Sequence, residues 1–344
     1  MAVNLDRIPK WPHARRDQFS TIPIFHQHSI TPTLHHSTRL NSLGAVLIVI
    51  LAPLGVAAAQ AKHEMPDTIA LQCDLRYREG KSAAWKLDLA CPKDPGSKLR
   101  PALVIIHGGG WLEGDKSSFT SLKYWAPGNI IDFAKLGFVA ATINYRLSGE
   151  APFPAALEDC KCAVRWLRAH ALDYHIDVNR IGAYGNSAGG HLALLLGMTE
   201  KADGLEGDGP CQDQSSMVQA VVSDSGPVDL DLRKPENGGL AKVMSQFLAG
   251  PPETLADQTR KASPASYVKK ALPPLLLIYG TADAQVTIGP VDDFVMALQK
   301  AGLQDLTYIR LGLVDHCPYS LGKVESLYPI VNDFFIRTLL GKPQ

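Results

Sequence analysis

The sequence predicts an α/β domain with a mostly parallel central sheet and helices on both faces. Short apolar runs recur along the chain, among them PALVIIH from Pro101, FVAATINY from Phe138, VQAVVS from Val218 and PLLLIY from Pro274. Runs of that length, without regular polar alternation, mark strands buried on both faces. Segments with helical spacing separate them, and strand-helix-strand alternation builds parallel sheets because parallel neighbours need a crossover. A Gly-x-Ser-x-Gly turn, Gly185 to Gly189, joins one such run to the apolar segment Leu192 to Leu196.

Of the 344 residues 46% are hydrophobic and 20% charged, enough for a sizeable core, and the formal charge of zero gives no sign of a nucleic-acid partner. That charge is unevenly spread. Met1 to Ser42 holds five basic residues (Arg7, Lys10, Arg15, Arg16, Arg39) against two acidic ones (Asp6, Asp17), which leaves the remainder at −3. From Leu43 to Ala59 the chain reads LGAVLIVILAPLGVAAA without a charge. Its apolar core, ending at Leu54, is shorter than the roughly 20 residues that span a bilayer and suits a signal-peptide h-region, with Ala59-Gln60-Ala61 as the cleavage pattern. Residues 1–61 are therefore expected to be a disordered leader plus signal peptide, cut near Ala61. Residues 62–344 form the functional domain, periplasmic or secreted and free of the membrane after cleavage. An uncleaved anchor is the alternative, while Pro53 and Gly55 argue against a buried helix. The upstream histidines (His13, His26, His28, His35, His36) lack the spacing and the cysteine or acidic partners of a metal site. Initiation at Leu34 would give a compact n-region, HHSTR, ahead of the apolar core.

Leu71 to Cys91 alternates strictly, with Leu71, Cys73, Leu75 and Tyr77, then Trp85, Leu87, Leu89 and Cys91 on one face, which predicts an antiparallel hairpin. A register pairing residues whose numbers sum to 164 sets Cys73 opposite Cys91, within disulfide reach. Two separate thiols are the alternative. The strand over 101–107 ends in His107-Gly108-Gly109-Gly110-Trp111, and a helix within Tyr124 to Leu136 leads to the strand over 138–145. Leu157, Cys160, Val164, Leu167 and Ala171 fall at helical spacing across 154–171, a core stripe. Arg180 to Tyr184 enters the serine turn. Strands over 218–223, 274–279 and 306–311 and helices over 291–301 and 324–340 complete the alternation. Leu230 to Tyr267 fits it poorly and is read as a small cap. Cys160 and Cys162 diverge on one helix, and no cysteine spacing matches a zinc site.

A strand-to-helix turn lifts its serine clear of the sheet, but a serine hydroxyl is a weak nucleophile until a base takes its proton and an acid holds that base. Ser187 is the candidate nucleophile. Gly280-Thr281-Ala282-Asp283 follows one strand and Gly312 to His316 another, which sets Asp283 and His316 at the carboxyl edge of the sheet, where such folds carry their sites. The glycines after His107, with the N–H of Ala188, offer donors for an oxyanion. Asp224 and Asp229 rival Asp283 as the acid. Asp315 diverges from its neighbour His316, His107 ties its own loop, and His191 is structural.

HGGGW at His107 with Gly114-Asp115-Lys116, Asn144-Tyr145-Arg146, FPAALED from Phe153, RIGAYGNSAGGHLA from Arg180 and YGTAD from Tyr279 together resemble the α/β-hydrolase carboxylesterases related to hormone-sensitive lipase. Within these the sequence is most similar to the bacterial branch with acetyl xylan and feruloyl esterases, over about Ile69 to Leu340. The resemblance implies the α/β-hydrolase fold and a serine carboxylesterase acting on small-molecule or polysaccharide-linked esters without cofactor or metal. It assigns Ser187 as nucleophile, Asp283 as acid, His316 as base, and the N–H groups of Gly109, Gly110 and Ala188 as the oxyanion hole. An amidase, aminopeptidase or arylformamidase on the same fold stays open. So does a non-catalytic ligand-binding homologue, although such proteins typically lack a triad member and this chain has all three. Two residues depart from the family pattern: Asn186, where Asp is usual, and Cys317, where a small residue is usual.

Overall fold

In chain order the strands are β1 (Ala45–Leu51), β2 (Ile69–Arg76), β3 (Lys86–Pro92), β4 (Arg100–Ile106), β5 (Val139–Ile143), β6 (Ile176–Asn186), β7 (Ala220–Asp224), β8 (Leu275–Gly280) and β9 (Leu306–Gly312). The helices are α1 (Ile130–Lys135), α2 (Ala155–Ala169), α3 (Ala171–Tyr174), α4 (Ala188–Met198), α5 (Ala241–Phe247), α6 (Ala256–Ala262), α7 (Ile288–Ala301) and α8 (Leu327–Phe335). They come from a computed structural model that describes residues 45–51 and 64–341 apart from 95, 124, 232–240 and 251–254, and for 45–51 the backbone alone. Residues 1–44 and 52–63, with the leader, its histidines and the expected cleavage site, lie outside the described residues.

Among the described residues the strands form one sheet in the order β1-β9-β8-β7-β6-β4-β5-β3-β2. Every neighbouring pair is parallel except β2 with β3 and β3 with β5. This is the α/β-hydrolase fold that the alternation of runs and helices predicts. From β4 the chain goes to β5 on one side and returns to β6 on the other. Their carboxyl ends therefore part at a topological switch point, the crevice where open α/β sheets bind ligands. The predicted runs lie fully buried: β4 from Pro101 to Ile106 and all of β5, β7 and β8. Core residues divide into two clusters, one on each side of the sheet. Part of the apolar run read as a signal segment pairs, from Ala45 to Leu51, with β9 along the sheet edge.

The hairpin forms, but in a different register. Ala70 faces Cys91 and Gln72 faces Leu89, whereas beyond the irregularity Leu75 faces Leu87. Cys73 and Asp74 thus oppose Asp88 alone, a β-bulge. Asp74 has φ 58°, and its N–H leaves the ladder to bond Asp88 Oδ1 at 2.9 Å. Asp88, expected on the outer face, is buried and bonded to Lys116 Nζ at 2.7 Å. The bulge turns Cys73 out to solvent, and Cys73 and Cys91 are separate free thiols, not a disulfide. Cys73→Ser is expected to change the unfolding free energy by less than about 0.5 kcal/mol in a urea titration, with or without reductant. Loss of a disulfide would cost about 2–5 kcal/mol.

Two helices are shorter than the periodicity suggests. α1 begins only at Ile130, where the Asn129 side chain accepts the Ile131 N–H, and α8 begins at Leu327. α2 carries the expected stripe, yet its polar face is also covered. Lys161 and Arg165 are buried against Glu206, at 2.7 and 2.8 Å, and Asp159 binds Arg146. Among the described residues the irregular stretch 230–267 contains α5 and α6. Phe247 of α5 stacks on Trp111 at 4.4 Å.

Candidate active site

The chain leaves β6 at Asn186 and turns into α4 at Ala188, so Ser187 alone makes the corner. Its φ of 51° and ψ of −122° are strained for a residue with a side chain, the mark of a geometry imposed by its surroundings. The corner closes because its glycines let backbone touch backbone. A Cβ on Gly185 would lie 2.2 Å from the Gly189 carbonyl oxygen, and one on Gly189 would lie 2.0 Å from that of Ile106. Neither obstacle is a movable side chain. Gly189→Ala is therefore expected to cost at least about 3 kcal/mol of stability or to yield no soluble protein, measured by urea unfolding.

Ser187 Oγ lies 2.8 Å from His316 Nε2, and His316 Nδ1 lies 2.6 Å from Asp283 Oδ2. The other carboxylate oxygen of Asp283 accepts the N–H groups of Gln285 and Val286 at 2.8 and 2.9 Å. A carboxylate only accepts, so the imidazole proton is assigned to Nδ1, which leaves Nε2 as the acceptor facing the serine. The loops after β8 and β9 are tied together, since Thr281 donates to Leu311 O and Ala282 to Val314 O, each at 2.9 Å. Lys323 Nζ holds the His316 carbonyl at 2.7 Å. The Asp283 side chain is fully buried while that of His316 is 14% exposed, so the acid is dry and the base reachable.

Beside the serine, Gly109 and Gly110 have φ of 103° and 60°, a course that suits glycine. The glycine loop passes so near the corner that a Cβ on Gly108 would lie 3.2 Å from Ser187 Cβ. Among the described residues the N–H groups of Gly109 and Gly110 make no backbone hydrogen bond. Ala188 opens α4, so its N–H has no carbonyl one turn back. α5 approaches Gly110, with Val243 at 3.5 Å from a Cβ placed there.

The other candidates take structural places. Asp229 accepts the Asp231 N–H, and Asp315 pairs with Lys323. His107 stacks on Tyr145 at 4.4 Å, its Nδ1 2.8 Å from the Gly108 carbonyl, and burial lowers its pKa. His191 is wholly buried; its Nε2 lies 2.7 Å from the Ala262 carbonyl, pinning α6 to α4, and burial pulls its pKa down to about 4. Among the described residues Asp224 makes no hydrogen bond to His316. Its backbone oxygen accepts the Ser187 N–H, and its carboxylate accepts N–H groups of the His316 loop. The two departures from the family pattern meet in space, with Asn186 Nδ2 4.0 Å from Cys317 Sγ. Among the described residues no group of three or more His, Cys, Asp or Glu is disposed to hold a metal ion.

A family model described as BD-FAE matches residues 87–298. Esterase LipC of Mycobacterium tuberculosis is 29% identical over 247 residues, 70% of this chain and 59% of its own. Hormone-sensitive lipase of Mus musculus is 36% identical over 139 residues, 37% of this chain and 17% of its own. The chain spans between about half and three-fifths of the length of the mycobacterial relatives it matches. A truncated carbohydrate esterase from gut microbiota superimposes with a TM-score of 0.68 at 27% identity, covering 80% of this chain and 98% of that one.

Proposed function

The chain belongs to the BD-FAE family, and from that premise we propose that it is a serine carboxylesterase that hydrolyses carboxylic esters through an acyl-enzyme on Ser187. The hydrogen-bonded series Asp283–His316–Ser187 carries this reading. His316 Nε2 takes the Ser187 proton as Oγ attacks the ester carbonyl carbon. The N–H groups of Gly109, Gly110 and Ala188 receive the oxyanion, each contributing about 3–4 kcal/mol in the transition state. As the tetrahedral species collapses, the C–O bond to the alcohol breaks and His316 returns the proton to the departing oxygen. The same base then draws a proton from water, which attacks the acyl carbonyl and frees Ser187. Asp283 keeps Nδ1 protonated and stabilises the transient imidazolium.

The substrate class is a short-chain acyl ester or an acetyl or feruloyl ester on a carbohydrate, a reading supported by the likeness to a carbohydrate esterase. A series of p-nitrophenyl esters of increasing acyl length, beside acetylated xylan and methyl ferulate, tests it. Matched ester and anilide substrates separate esterase from amidase: an ester preference below about tenfold, or ~1.4 kcal/mol, contradicts the proposal. We also propose export, with cleavage near Ala61. That cut would remove β1, so an N-terminus of the mature protein upstream of Ala45 would refute it.

A further inference from the structure

β7 ends at Asp224, beside the serine corner and against the loop that carries His316, and the ester chemistry above leaves it without a task. We propose that Asp224 is a positioning residue that braces the nucleophile against its base, its main chain holding the Ser187 corner and its anionic carboxylate holding the His316 loop. This rests on the reading of Ser187, His316 and Asp283 as a triad.

The Asp224 carbonyl accepts the Ser187 N–H at 2.8 Å, in a register that sets Asn186 opposite Asp224. Its carboxylate accepts the N–H of Ser320 at 2.8 Å and that of Tyr319 at 3.4 Å. The next side chain, Ser225 Oγ, accepts the Cys317 N–H at 3.0 Å. Residue 318 is a proline, so these two side chains receive every backbone N–H from 317 to 320. The Ser225 N–H in turn donates to Ile278 O at 2.9 Å, on the strand that leads to Asp283. Asp224-Ser225 thus touches the corner, the base's loop and the acid's strand.

Asp224 is wholly buried. The groups acting with it are His316, Cys317 and Tyr319 from the loop, Tyr184 from β6 and Tyr279 from β8. Burial raises the thiol and the three phenols, which stay neutral where the enzyme works, so His316 is the neighbour whose charge changes. An anion at Asp224 favours the imidazolium formed during acylation. Asn186, opposite Asp224 in the register, is a neutral amide and adds no second carboxylate beside it. Burial raises the Asp224 carboxyl to about 6. As the pH falls through that value the loop loses its anionic acceptor. The sign for stability is the reverse. A carboxyl whose folded pKa is raised favours its protonated form in the fold, so holding it charged above about pH 6 costs stability; Asn removes the charge but turns its NH₂ toward the Tyr319 N–H, which offsets the gain.

The test is the pH profile of kcat/KM on p-nitrophenyl acetate for the full chain and for Asp224→Asn, with thermal melts at neutral pH. In the wild type the acid limb is expected to include the titration of Asp224 at about pH 6. Asp224→Asn is expected to show an inflection moved to lower pH and kcat reduced by about 10–100-fold with KM within about threefold, in a variant whose melt shows it folded. An unmoved inflection in Asp224→Asn, or in Asp224→Ser should Asn fail to fold, overturns the brace. Wild-type turnover in Asp224→Asn overturns it as well. Phosphonate labelling of the wild-type protein separates the two readings: label absent from Ser187 rejects the triad, whereas label on Ser187 with an unmoved inflection in the variant rejects only the brace.

Discussion

Ser187→Ala is expected to lose about five to six orders of magnitude in kcat on p-nitrophenyl acetate, with KM little changed. The oxygen it removes is the atom 2.8 Å from His316 Nε2, and among the described residues no other hydroxyl is bonded to that nitrogen. What survives is transition-state binding by the glycine loop and Ala188, which alone still exceeds the uncatalysed rate by about 10³–10⁴. The loss is chemical. The Ser187 side chain makes no cap for α4, and the turn is held by the N–H to Asp224 O, which alanine keeps. A fall of less than about tenfold in a folded variant would mean that the hydrolysis runs elsewhere.

Asp283→Asn is expected to lower kcat by about 10⁴. The reason is local. Oδ1 of Asp283 receives two backbone N–H groups, from Gln285 and Val286, so an asparagine must set its carbonyl oxygen there and turn its NH₂ toward His316. An NH₂ donor at that place forces Nδ1 to accept, which moves the imidazole proton to Nε2 and points it at Ser187. The base is then in the wrong tautomer although every heavy atom stays in place. Asp229→Asn and Asp315→Asn, whose carboxylates serve a turn and Lys323, are expected to leave turnover largely intact. Kinetics of the three variants side by side checks the assignment, and a severe loss in Asp229→Asn with a mild one in Asp283→Asn would reverse it.

The framework was legible because its signals are local. β4, β5, β7 and β8 are buried on both faces and read as unbroken apolar runs, and Ser187, Asp283 and His316 each sit just past such a run in the chain order that this fold uses. Misreadings arose where a distant partner changed a local pattern. Strict alternation set Cys73 opposite Cys91, but Asp74 donates its N–H to Asp88, itself held by Lys116, and the resulting bulge shifts the strand. The core stripe of α2 gave no sign that its polar face is covered too, by Glu206 some forty residues on, which pairs with Lys161 and Arg165. Asp224 was weighed only as a rival acid, because its partners are backbone N–H groups that leave no trace in residue type. One signal did exist: the two departures from the family pattern, Asn186 and Cys317, flank the nucleophile and the base and prove to be neighbours.

The central claim, that Ser187 is the nucleophile, is tested most directly by the mass of the full chain after treatment with a fluorophosphonate, with the adduct located by peptide mapping. A single adduct on the peptide that contains Ser187, absent from Ser187→Ala, is the result expected. An adduct on another residue, or labelling undiminished in Ser187→Ala, would contradict it.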